Sequence, residues 1–99
     1  MARLGDVAVK VRSKNAGPFW VTIDIFCGSA KAFDRVRAAI TAERAAEVLQ
    51  TPTQTLKRFE IPDLKVVKLS IPRPAVQGTV ADRDMHGAAL GALMAEVEI

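Results

Sequence analysis

Residues 19–27, Phe-Trp-Val-Thr-Ile-Asp-Ile-Phe-Cys, constrain the fold more than any other stretch of this 99-residue chain. Extended backbone sends alternate side chains to opposite faces, so Phe19, Val21, Ile23, Ile25 and Cys27 share one face. Trp20, Thr22, Asp24 and Phe26 share the other, and both faces are largely apolar. A strand of that kind belongs in the middle of a sheet, covered on both sides. Gly17-Pro18 before it and Gly28-Ser29 after it are turn and stop signals. Asp24 is the one charge inside, expected to reach solvent or pair with a neighbouring lysine.

The rest of the chain arranges itself around that strand. Val7, Val9 and Val11 alternate with Ala8, Lys10 and Arg12, which predicts a half-buried strand before it. After it, Ser29 can cap a helix whose Phe33, Val36 and Ile40 recur at helical spacing, and Thr41 can cap a second from Ala42 to Gln50. Thr51-Pro52-Thr53 ends that one, because proline cannot continue the amide ladder. Leu56–Ile61 and Leu64–Ile71 read as two strands joined at Pro62-Asp63, with Pro72-Arg73-Pro74 halting the second. Asp82 or Asp84 can cap a last helix running to about Met94, with Leu90, Leu93 and Met94 as its apolar stripe. Gly87 and Gly91, four apart, would let that helix pack closely on a sheet. Glu96-Val97-Glu98-Ile99 alternates as a closing strand. Setting the first strand aside, the order is β-α-β-β-α-β. That is an α+β, ferredoxin-like sandwich with an extra N-terminal strand and helices on one face of a largely antiparallel sheet. No repeat or linker divides it, so residues 1–99 are expected to form a single domain.

Composition removes several function classes. The charge excess of +3 is spread along the chain, and the few aromatics include no Tyr, so a nucleic-acid stacking platform is not expected. The single Cys27 excludes an intrachain disulfide, suits a reducing compartment and, as a residue type usually buried, reads as structural. The N-terminus lacks a signal-peptide apolar region and no stretch reaches the length of a membrane span, so a cytoplasmic protein is expected.

Chemistry concentrates in two polar segments, Arg12-Ser13-Lys14-Asn15-Ala16-Gly17-Pro18 and Asp82-Arg83-Asp84-Met85-His86-Gly87. Arg12, Ser13, Lys14 and Asn15, in a turn closed by Gly-Pro, offer cationic, hydroxyl and amide donors suited to a carboxylate, phosphate or oxyanion. Arg73 and Arg83 could join them. The same residues would also serve as a solvated hairpin loop whose charges pair with Asp82 and Asp84. His86 could act as general acid or base, oriented by Asp82 or Asp84, or sit hydrogen-bonded in the first helical turn. Without a second histidine or a thiolate cluster no metal is expected, and nothing names a cofactor. Trp20 could wall a pocket, seal the core or anchor a subunit contact. In the ferredoxin-like order the strand from Phe19 and the strand ending at Ile71 are antiparallel neighbours. Both polar segments would then meet at one edge of the sheet, in one contiguous cleft.

With these two segments, and with Asp63-Leu64-Lys65-Val66-Val67-Lys68 and Ile71-Pro72-Arg73-Pro74, the chain resembles small bacterial proteins grouped as domain of unknown function "forty-three eighty-seven". It is more distantly similar to the C-terminal ferredoxin-fold domain of AtuA-like (acyclic terpene utilisation) proteins, which carries an Arg-Ser-Gly-Asp-Lys-Gly loop after its first strand. Here Arg12-Ser13 matches and Lys14-Asn15-Ala16-Gly17 replaces the remainder. In the AtuA-like architecture a large domain precedes this small one. The resemblance therefore implies a freestanding small subunit that docks on a large AtuA-like partner in catabolism of carboxylates or acyl thioesters. It would contribute an anion-binding edge at a subunit junction. Two alternatives stand beside it: a self-sufficient, homo-oligomeric enzyme using His86 as acid or base, and a purely structural oligomerisation module.

Overall fold

A computed structural model of the chain describes residues 2–17, 19–72 and 89–99. A single helical turn, α1 (Leu4–Val7), leads into strands β1 (Lys10–Asn15) and β2 (Trp20–Phe26). Helices α2 (Ala30–Ala39) and α3 (Ala42–Leu49) follow, then a 3₁₀ turn at Thr53–Thr55, strands β3 (Lys57–Ile61) and β4 (Val66–Pro72), and helix α4 (Ala89–Ala95). The strands form one antiparallel sheet in the order β1-β2-β4-β3. The fold is α+β and ferredoxin-like, with β2 and β4 central, as the apolar run at 19–27 requires.

Helices cover one face of the sheet. Val21, Ile23 and Ile25 of β2 lie in register with Ile71, Leu69 and Val67 of β4, and all six are buried. They meet Phe33, Val36 and Ile40 from α2 and its C-cap, Ala45, Ala46 and Leu49 from α3, and Met94 from α4. Each fully buried aliphatic side chain here contributes about 1.5–3 kcal/mol. The caps are where the sequence places them: Ser29 Oγ accepts from the Ala32 amide at 3.1 Å, and Thr41 Oγ1 from the Arg44 amide at 3.1 Å. Gly28 turns the chain between β2 and α2 at φ +86°, and a Cβ there would strike Val9 Cγ2 at 2.3 Å.

Four expectations need correction. Val7 and Val9 do not begin the first strand: Val7 belongs to α1, whose turn buries Leu4 and Ala8, and Val9 is exposed. The strand starts at Lys10 and continues through Asn15, so the run taken as a polar turn is largely strand. Residues 96–99 do not join the sheet as a closing strand; they reach Arg3 through one bridge at Glu98, held by Leu4 N–Val97 O at 2.7 Å and Ile99 N–Ala2 O at 2.9 Å. The seat beside β2 that a ferredoxin-like closing strand would take is filled by β1, which arrives across a short turn and closes the smaller loop. Finally, α4 turns Gly91 and Met94 inward and leaves Leu93 about half exposed, because Gly91 is the residue that meets β1.

Candidate sheet-face site

Strand alternation divides the Arg12–Asn15 run between two faces. Ser13 and Asn15 lie opposite Ile23 and Val21, on the side the helices cover. Ser13 is buried there, and its Oγ accepts a hydrogen bond from the Gly91 amide at 2.8 Å. A Cβ on Gly91 would lie 2.8 Å from Ser13 Oγ and 2.9 Å from Ser13 N. Ser13 thus seats α4 on the sheet, and Gly91 is small because that seat is close.

Arg12 and Lys14 go the other way, opposite Asp24 and Thr22, and both are exposed. Their face of the sheet carries no helix among the described residues. Cross-strand register extends it in rows. One row runs Arg12, Asp24, Lys68, Phe59; the next runs Lys14, Thr22, Ser70, Lys57; a third sets Lys10 beside Phe26, Val66 and Ile61. Among the described residues, helices cover β2 on one side only, and on the other Trp20, Asp24 and Phe26 are half-buried while Thr22 is buried.

Among the described residues of this face, five cations (Lys10, Arg12, Lys14, Lys57 and Lys68) stand against one carboxylate, Asp24. Among the described residues none of the six forms an ion pair; the pairs present join Arg3 to Glu96, Arg37 to Asp34, Arg44 to Glu47 and Arg58 to Glu60. Lys57 Nζ stands 5.3 Å from the centre of the Trp20 ring, a cation–π contact spanning β4. Thr22, near the centre of the face, is buried with its hydroxyl unpaired among the described residues. Lys57, Lys68, Asp24, Phe26 and Phe59 were not singled out by spacing along the chain. They become a group only once strand register is known, although the Arg12/Lys14 alternation already marks one edge of it.

Arg73, Asp82, Arg83, Asp84 and His86, and the cleft they were expected to complete, lie outside the described residues. Of the described residues nearest to them in sequence, Pro72 is in register with Trp20, and Gly91 packs on Ser13. An apolar groove between Leu49, Pro52, Ile71, Pro72 and Leu90 lies at the same end of β4. Cys27 is 2% exposed, its Sγ donates to Ile25 O at 3.7 Å, and burial raises its pKa above the ordinary 9.0, the wrong direction for a thiolate nucleophile. No group of His, Cys, Asp and Glu among the described residues could hold a metal ion, and no helix among them is long and apolar enough to cross a membrane.

Comparison with known families finds one described as a domain of unknown function (DUF4387), matching residues 4–98. No curated protein and no solved structure matches the chain.

Proposed function

We propose that this chain, which belongs to the DUF4387 family, is the accessory small subunit of a two-component system with a large AtuA-like protein. It would act in the catabolism of carboxylates or acyl thioesters and contribute cations at the subunit junction. One observation carries the reading: the domain leaves a full face of its sheet without helices among the described residues, and Arg12 and Lys14 stand exposed on it. Guanidinium and ammonium groups held on strands are pre-positioned for an anion, and a strand fixes them better than a loop. A domain of this size encloses a substrate-sized pocket poorly, so a site shared with a larger partner is the economical arrangement. The resemblance to the C-terminal domain of AtuA-like proteins supplies the identity of that partner. Arg73, Arg83 and His86 complete the anion site in this reading, with Asp82 and Asp84 orienting them.

The test is co-expression with a neighbouring AtuA-like gene, followed by affinity purification through a tag on the small chain. A stoichiometric complex that survives gel filtration is expected. Recovery of the small chain alone, with the large protein folded in the same extract, would overturn the accessory role. Should the complex form, His86→Ala is expected to lower its turnover of acyl substrates without dissociating it.

A further inference from the structure

We infer that the open face of the sheet, rows Arg12–Asp24–Lys68–Phe59 and Lys14–Thr22–Ser70–Lys57, is a docking surface for an acidic protein surface on the larger subunit. This rests on the accessory reading above and goes beyond it by naming the face and the charge of what covers it.

Three observations converge. Among the described residues the face holds five cations and one carboxylate, while the whole chain has an excess of only +3, so positive charge is concentrated here. Those cations have no ion-pair partners among the described residues, so their charge is available to an opposing surface. Beside them lie the half-buried Phe26 and Ile61 and the 48%-exposed Phe59, apolar groups next to charge, which is how protein interfaces are built.

Charge decides among occupants. A second copy meeting the first across a two-fold axis would set this cationic patch against itself, so self-association through this face is opposed. Single-stranded nucleic acid would match the charge but needs adjacent open rings. Here Trp20 is half-buried and already faced by Lys57, Phe26 is half-buried, and the exposed rings Phe19 and Phe59 stand on β2's entry turn and the far edge strand β3. An acidic protein surface needs no such rings.

The experiment uses the full chain, ¹⁵N-labelled, titrated separately with the AtuA-like protein, with a poly-glutamate peptide and with oligouridine. Binding affinity is measured for the wild type, for Lys14→Glu/Lys57→Glu and for the α3 control Arg44→Glu. Lys14 and Lys57 face Thr22 and Ser70 rather than a carboxylate, so the double reversal creates no direct like-charge pair. With the AtuA-like protein, amide signals of β1, β2, β4 and β3 should broaden. The double reversal should weaken binding by about tenfold or more at moderate salt while Arg44→Glu leaves it unchanged. If the complex forms and the double reversal leaves affinity within about twofold, this face is not the interface, and the accessory role survives. If the AtuA-like protein does not bind, the accessory role fails and poly-glutamate decides the face: binding lost in the double reversal sustains an acidic occupant, and no binding overturns it. Tighter binding of oligouridine than of poly-glutamate at the same amides would also overturn it, in favour of nucleic acid.

Discussion

Ser13 and Gly91 form a close joint between β1 and α4. Replacing Gly91 with Ala gains about 1 kcal/mol in helix propensity but drives a Cβ to 2.9 Å from the Ser13 backbone nitrogen, and such overpacking costs about 1–3 kcal/mol. Gly91→Ala is therefore expected to lower the urea midpoint, and Ser13→Ala should not rescue it, because the backbone contact remains. Ser13→Ala alone leaves the buried Gly91 amide without its acceptor, a loss of about 1–3 kcal/mol measurable by the same denaturation. Cys27 yields a pH prediction. Its folded pKa is raised by burial, so the unfolded chain ionises first as pH climbs; the stability present below pH 9.0 is lost above it. Thermal midpoints should hold steady near neutrality and fall on the alkaline side, and Cys27→Ala should flatten that fall. The native thiol should resist a disulfide reagent that reacts at once in denaturant. Cys27's burial is readable from residue type and strand position. Ser13's partner is not, since it lies 78 positions away and depends on how α4 docks.

Among elements, the C-terminus of α2 is held from another part of the chain. Arg58, on the helix-packed side of β3, donates through Nε to Ile40 O at 2.7 Å and through Nη2 to Arg37 O at 2.8 Å, while Nη1 pairs with Glu60 at 2.6 Å. A planar fork can meet two carbonyls and a carboxylate at once, and an ammonium cannot. Arg58→Lys should consequently destabilise by about 1–2 kcal/mol in chemical denaturation, whereas Glu60→Gln, at a partly exposed pair, should cost about 0–1 kcal/mol. Ser29 and Thr41 are legible as caps because their partners lie three residues on. The end of β1 is not legible in the same way. Its inward positions after Val11 are Ser13 and Asn15, which look like a turn until the packing of α4 explains Ser13. The closing segment misleads for a related reason: its alternation is real and Val97 is buried, but the edge it would join is occupied.

For the molecule as a whole, the two sides of the sheet do different work: one holds the fold together and the other presents charge. Local pattern shows the first side well, because β2 and β4 carry aliphatic residues at every second position. It shows the second poorly, because Arg12, Lys57 and Lys68 are far apart in sequence and come together only through register. If the charged side is as self-repelling as its composition implies, the protein alone should not associate through it. Amide shifts of β1 and β3 should then be independent of concentration at low salt, where repulsion is least screened. The replacement of a C-terminal edge strand by β1 also bears on how the fold assembles in time. Both edge strands are arms of hairpins, β1 with β2 and β3 with β4, so among the described strands β2–β4 is the one ladder that must join distant parts of the chain. None of the four described strands has to wait for α4, and a topology richer in local contacts reaches its transition state sooner. The last helix then settles on a framework that already exists. Weakening its seat at Gly91 should quicken unfolding and leave the folding rate nearly unchanged.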